Sequence, residues 1–196
     1  MAKSMRSAYI ERNTKETKIQ LSLNLDGQGK AEIDSGIGFF DHMMNLLAFH
    51  SGMDISLRAQ GDLDVDDHHT IEDIGIAFGE AFLKAIGDKK GIERYGNFRC
   101  CMDEALACVD TDISGRGYLV FHADFHRDMI GMMATEMVKE FFYAFAMHSG
   151  VTLHINLLYG ENDHHKVEAI FKGFGHSLKQ AVEITSDILP STKGAL

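Results

Sequence analysis

Two adjacent histidines followed by a glutamate occur twice in the chain, as "DDHHTIED" over Asp66–Asp73 and as "NDHHKVEA" over Asn162–Ala169, ninety-six residues apart. On a helix, residues four apart share a face, so His68 with Glu72, and His164 with Glu168, can each grip one metal ion. The imidazoles of His69 and His165 stand about 100° further round the helix and face elsewhere. Adjacent histidines therefore favour two ions, one per imidazole. Zinc, manganese and iron all accept such a nitrogen and carboxylate set, and ligand type alone does not choose among them.

A third ligand follows from a second landmark. "HSG" stands at His50–Gly52 and again at His148–Gly150, and eight residues before each histidine lie His42 and Glu140. Both are metal-competent, and both fall in stretches that read as helix. The expected sets are His42, His68, His69 and Glu72 from one half, and Glu140, His164, His165 and Glu168 from the other. A single HHxxE on a surface helix is an ordinary solvated face. Duplication, with a third ligand at the equivalent place, sets this chain apart. Asp66, Asp67, Asp73 and Asp163 are expected to orient the imidazoles. His122, His126, His154 and His176 lack such company and read as structural.

The elements that must position these side chains repeat as well. HSG, DHH and the "FG" of Phe78–Gly79 and Phe174–Gly175 recur in the same order, which marks a duplication with halves at residues 1–96 and 97–196 forming one compact unit. Each half reads as strands, helix, strand, helix. Ile19, Leu21, Leu23 and Leu25 alternate with polar residues, and "DGQG" reads as a hairpin turn after them. A helix is expected over 39–50, then a strand through Ile55, Leu57 and Ala59. Ile71, Ile74, Phe78, Phe82 and Ala85 recur at helical spacing. In the second half "ALACVDTDISGRGYLVFHADF" reads as a pair of strands, "ATEMVKEFFYAFAMH" as a helix and "VTLHINLLY" as a strand. Val167, Ile170, Phe171, Phe174, Leu178 and Ala181 then line a helix face. Gly79 and Gly175 interrupt the two long helices at a cost of about 1 kcal/mol each against alanine, which points to close helix approach. The expected fold is α+β, a duplicated half-domain. Each half is a mostly antiparallel sheet with two helices on one face, and the helices of the two halves pack together.

With 196 residues, 45% of them hydrophobic and 24% charged, the chain can bury a sizeable core. A formal charge of −10 without a basic stripe disfavours nucleic acid as a partner. No apolar run approaches a membrane span, and "MAKSMRSAYIERNTKE" has no apolar core of a secretory signal. The three cysteines, Cys100, Cys101 and Cys108, are too few and too close for a disulfide framework, so a cytoplasmic setting is expected.

Ordered motifs along nearly the whole chain resemble the imidazoleglycerol-phosphate dehydratase family. They are "RNTKET" (Arg12–Thr17), "FFDHM" (Phe39–Met43), "GDLDVDDHHTIEDI" (Gly61–Ile74), "KGIERYG" (Lys90–Gly96), "MDEAL" (Met102–Leu106), "DISGR" (Asp112–Arg116), "NDHHKVEAIFK" (Asn162–Lys172) and "PSTKG" (Pro190–Gly194). The resemblance implies a ribosomal protein S5 domain 2-like fold and the dehydration of imidazole glycerol phosphate to imidazole acetol phosphate in histidine biosynthesis. The C–H bond to be broken has no adjacent carbonyl, so the imidazole ring must accept the charge, and metal on its nitrogens stabilises that form. Two divalent ions per subunit are implied, with Mn2+ favoured. Glu16 matches the family's proton-moving carboxylate, while Glu72 and Glu168 join the catalytic centre as ligands. Arg94, Arg116, Lys172 and Lys193, with Ser191 and Thr192, match its phosphate contacts, and His50 lies in a stretch that lines the substrate pocket in relatives. A homo-oligomeric shell of about 24 subunits built from trimers is also implied. Many relatives carry histidine in place of Glu140, and proline in place of Cys101 and Gly117. A dinuclear metal phosphohydrolase and a metal-storage protein are the alternatives. The alternating strands argue against storage in a ferritin-like bundle.

Overall fold

A computed structural model describes residues 6–196; residues 1–5, the start of the stretch read for a leader, lie outside the described residues. β1 (Ser7–Asn13) and β2 (Thr17–Asn24) form an antiparallel hairpin, β4 (Asp54–Gly61) runs antiparallel along β2, and β3 (Ala31–Asp34) lies parallel to β4. The order is β1-β2-β4-β3. The second sheet repeats it with β5 (Tyr95–Met102), β6 (Ala105–Asp112), β10 (Thr152–Tyr159) and β7 (Tyr118–His122) in the order β5-β6-β10-β7. Strand senses match as well: the last neighbour is parallel and the others antiparallel. This is the duplicated, mostly antiparallel α+β architecture that the repeat implied.

Two expected pairings differ. "DGQG" does not close a hairpin, because β4 lies between β2 and β3. Asp54 of β4 holds that connection instead, accepting the backbone N–H groups of Gln28 at 2.8 Å and Lys30 at 2.9 Å. β6 and β7 are likewise separated by β10. A strand inserted from far along the chain overrides the local hairpin signal.

Among the described residues four helices pack on the sheets: α1 (Gly38–Ser51), α2 (His68–Ile86), α3 (Glu136–Ser149) and α4 (Asp163–Ala181). Their apolar stripes meet across the halves, α1 on α4 and α2 on α3. Phe141 is central, within 5.5 Å ring to ring of Phe40, Phe142 and Phe171. The mid-helix glycines serve these crossings. A Cβ at Gly79 would stand 2.8 Å from the Phe145 carbonyl oxygen, and one at Gly175 would stand 3.2 Å from that of Leu47. HSG is a helix stop. Gly52 and Gly150 adopt left-handed φ of 73° and 70° after α1 and α3, the conformation glycine takes without strain. Among the described residues no helix is long and apolar enough to cross a membrane.

Candidate functional site

The helix starts carry the chemistry. Asp66 and Asn162, at equivalent positions, accept the backbone N–H of His68 and His164, each at 2.9 Å, and so fix the first turns of α2 and α4. Because α1 packs along α4, His42 of the first half meets His164 and Glu168 of the second. The Nε2 of His164 lies 3.2 Å from Glu168 Oε2, and that of His42 lies 3.9 Å from the same oxygen. Among the described residues these three form the one group of three metal-competent side chains whose donor atoms lie within 4.8 Å of one another. Metal–donor bonds near 2 Å place neighbouring donors about 3–4 Å apart, so the spacing fits a single ion. The triad joins the halves, with His42 from the set expected in the first half beside His164 and Glu168 from the set expected in the second. His68 and Glu72 on α2, and Glu140 on α3, are half-buried and do not converge to that spacing.

Burial alone would raise the Glu168 carboxyl, but the Lys172 ammonium at 2.6 Å, with His42 and His164 nearby, holds it below the usual range. Its carboxylate is thereby favoured in the ionised form that a metal would need. Phe39 packs its ring on His164, centroids 5.0 Å apart, and restricts the imidazole.

The second histidine of each pair turns away, its ring nearly perpendicular to the first, at 83° for His68 and His69 and 81° for His164 and His165. The Nδ1 of His69 bonds Asp62 at 3.0 Å and that of His165 bonds Glu104 at 2.7 Å. Each hydrogen bond raises the imidazole's pKa. Glu104 is itself lowered to about 2, by the Asn162 backbone N–H and then by His165. The carboxylates that orient these rings are thus Asp62 and Glu104. Of the four aspartates expected in that role, Asp66 caps a helix, Asp67 and Asp163 accept backbone N–H groups, and Asp73 binds Arg12 and Thr17. The Asp73 contacts explain "RNTKET". They pin the β1–β2 turn over α2, and Glu16 in that turn lies 3.9 Å from His69 Nε2.

His50 hydrogen-bonds His176 at 3.1 Å between ring nitrogens, with Phe98 stacked on His176 at 4.1 Å. Burial lowers both imidazoles; the His176 ring lowers His50 further, and the Lys179 ammonium lowers His176. His176 therefore has a partner, which its sequence surroundings did not reveal.

The cations expected at a phosphate lie elsewhere. Arg94, at φ 75°, gives Nε and Nη2 to Asp112 at 2.7 and 3.2 Å and Nη1 to the Pro190 carbonyl at 2.8 Å. Its guanidinium holds the segment that presents Ser191, Thr192 and Lys193, and Thr192, Lys193 and Arg116 are exposed. The Arg94 N–H bonds the Ala181 carbonyl at the far end of α4. At a helical rise of 1.5 Å per residue, that end is about 25 Å from His164. Only Lys172 among these residues stands beside the triad. At Gly117 a Cβ would lie 2.6 Å from the Ala146 carbonyl oxygen, so glycine there permits close approach to the end of α3.

Comparison with known proteins agrees with this geometry. The family model for imidazoleglycerol-phosphate dehydratase matches residues 35–178. The imidazoleglycerol-phosphate dehydratase of Clostridioides difficile is 59% identical, covering 98% of this chain and 100% of that one, and that of Clostridium botulinum is 56% identical, over 97% and 98%. The crystal structure of the Staphylococcus aureus enzyme matches with a TM-score of 0.83 at 42% identity, covering 91% of this chain and 99% of that one. The Pyrococcus furiosus enzyme in complex with (S)-C348 also matches at 0.83, with 38% identity over 95% and 100%. By sequence and fold alike, the chain belongs to the imidazoleglycerol-phosphate dehydratase family.

Proposed function

We propose that this protein dehydrates imidazole glycerol phosphate to imidazole acetol phosphate in histidine biosynthesis, and that the reaction depends on divalent metal. Family membership supports the reaction. The meeting of His42, His164 and Glu168 is the observation that carries the metal dependence. A bound divalent ion supplies Lewis acidity at a ring nitrogen of the substrate, and the mixed imidazole and carboxylate donors suit Mn2+. In this reading His68, Glu72 and Glu140, which do not meet within one chain, serve the second of two ions per chain. His69 and His165, their Nδ1 atoms fixed by carboxylates, present Nε2 outward as further ligands. Glu16, half exposed beside His69, is the carboxylate free to take and return the proton. Glu168, held ionised by Lys172, serves as ligand.

Arg116, Lys172, Lys193, Ser191 and Thr192 receive the phosphate in this reading, with Arg94 bracing the segment they share and His50 lining the pocket. Much of that group lies about 25 Å from the triad along α4, too far for one small substrate to bridge within a single chain. Assembly resolves the distance: one copy supplies metal ligands and another supplies phosphate ligands, in a homo-oligomer of about 24 subunits built from trimers. Exposed Tyr9, Phe49, Tyr118, Met132 and Tyr159 provide apolar surface for such contacts. The three cysteines are free thiols, in keeping with a cytoplasmic setting.

The runner-up, a metal phosphohydrolase, would use a similar donor set to activate water. Incubating the Mn2+-loaded protein with imidazole glycerol phosphate separates the two. The expected product is an enolisable ketone, with turnover lost on chelation and restored by Mn2+. Inorganic phosphate released without ketone would sink the dehydratase reading.

A further inference from the structure

The aspartate of each DHH motif is buried and does not touch the histidines' rings in the way its position suggested. Both aspartates instead bind one segment, residues 123–135, which joins β7 to α3. In the first half the equivalent connection, from β3 to α1, takes only residues 35–37. The longer segment folds a small hairpin of β8 (Met129–Ile130) and β9 (Met133–Ala134) and lies across the starts of three helices. At α4, Asp163 Oδ2 accepts the N–H groups of His126 at 2.8 Å and Arg127 at 2.7 Å. At α2, Asp67 Oδ2 accepts the N–H of Ala134 at 2.6 Å. At α1, Gly131 sits beside Phe39, whose ring packs on His164.

Lys166 completes the arrangement. Its ammonium, 2% exposed, donates to Asp163 Oδ1 at 2.7 Å, to the Asp124 carbonyl at 3.1 Å and to His126 Nδ1 at 3.1 Å. Thr135 ties the end of the segment back to its middle, donating through Oγ1 to the Arg127 carbonyl at 2.8 Å. A buried carboxylate with three donors and a buried ammonium with three acceptors have little freedom to shift.

We infer that residues 123–135 form a brace which, through Asp67 and Asp163, sets the placement of the first turns of α2 and α4 relative to each other, and so of the metal-binding histidines. Asp67, Asp163 and Lys166 are positioning residues. The inference rests on the metal reading above. Its physical basis is that ligand positions must hold to a few tenths of an ångström, while helix starts are the ends most prone to fray. Aspartate at these positions takes the brace's N–H groups one residue before each ligand histidine.

The test is Mn2+ titration of the full-length protein, followed by the EPR signal of free Mn2+, for wild type, Asp67→Ala and Asp67→Asn. Asparagine keeps an acceptor for the Ala134 N–H; alanine does not. Asp67→Ala is expected to weaken one class of bound Mn2+ about tenfold, as loss of an outer-shell partner commonly does, and Asp67→Asn to stay within about threefold of wild type. Should Asp67→Ala fail to fold, the Lys166→Met variant is titrated in its place and the same loss is expected. Folded variants that bind Mn2+ as wild type does, with only a lower melting temperature in the metal-free state, would show the segment to be structural filling and overturn the brace. Absence of saturable Mn2+ uptake in wild type, or uptake unaffected by His164→Ala, would instead overturn the metal reading on which it rests.

Discussion

Glu168 and Glu16 are both carboxylates beside imidazoles, in unlike surroundings that suit the different roles proposed for them. Glu168 is 10% exposed in its side chain and paired with Lys172, which favours its anionic form. Glu16 is 53% exposed and lies 3.9 Å from His69 Nε2, which suits the proton-moving role proposed for it. Arg94 shows the same dependence on surroundings. Its planar fork spans Asp112 and the Pro190 carbonyl, so in the proposed reading it acts on the phosphate through the Ser191–Lys193 segment. A lysine keeps the charge but not the fork. Arg94→Lys is therefore expected to raise KM about as much as Arg94→Ala, tenfold or more, with a smaller change in kcat; steady-state kinetics check this, and wild-type KM in Arg94→Lys would contradict it. The candidate ligands were legible because HHxxE is a local spacing on one helix. Their orienting partners were not. Glu104 is 61 residues from His165 and His176 is 126 from His50, so only the folded chain brings them together.

Gly79 and Gly175 illustrate how elements trade local preference against packing. Alanine would gain about 1 kcal/mol of helix propensity at either site. At Gly79 its Cβ meets backbone atoms at 2.8 and 3.0 Å, and at Gly175 the nearest atoms stand at 3.1–3.2 Å. Overpacking of that kind costs about 1–3 kcal/mol, so it wins clearly at Gly79 and nearly cancels at Gly175. Urea unfolding should show Gly79→Ala destabilised by about 1–2 kcal/mol and Gly175→Ala close to wild type; equal effects would contradict the difference in helix approach. Asp54 gives a pH-dependent case. The Gln28 and Lys30 N–H groups hold its carboxyl below the ordinary value of 3.8. A depressed carboxyl stabilises the fold above its unfolded pKa and loses that contribution as pH falls through the folded value. Asp54→Asn should thus be less stable than wild type at neutral pH, with the gap closing below about pH 4; a gap that persists into acid would contradict it. The helices and inner strands were legible from periodicity. β1 and β5 give no such signal, because Tyr9, Tyr95 and Phe98 on them are exposed and no residue run alternates fully between core and solvent. The order of strands was hidden for a different reason: which strand inserts between two others is decided by the sheet as a whole.

At the scale of the molecule, duplication did more than double a binding motif. Packing α1 on α4 places His42 of one half against His164 and Glu168 of the other, a pairing that repeat spacing alone could not assign. His164 and His165 start α4 while the segment proposed to bind phosphate lies near its far end, a separation that the proposed assembly would bridge. Metal analysis of protein eluting from a size-exclusion column, with its mass read by light scattering, tests these claims most directly. The account predicts two Mn2+ ions per chain in an oligomer many times the 21.8 kDa of the chain. It predicts that His42→Ala and His164→Ala, though in different halves, each lose the same single ion, that Glu140→Gln depletes the other, and that chelation yields smaller species. Wild type carrying full metal as a monomer, or His42→Ala and His164→Ala losing different ions, would contradict it.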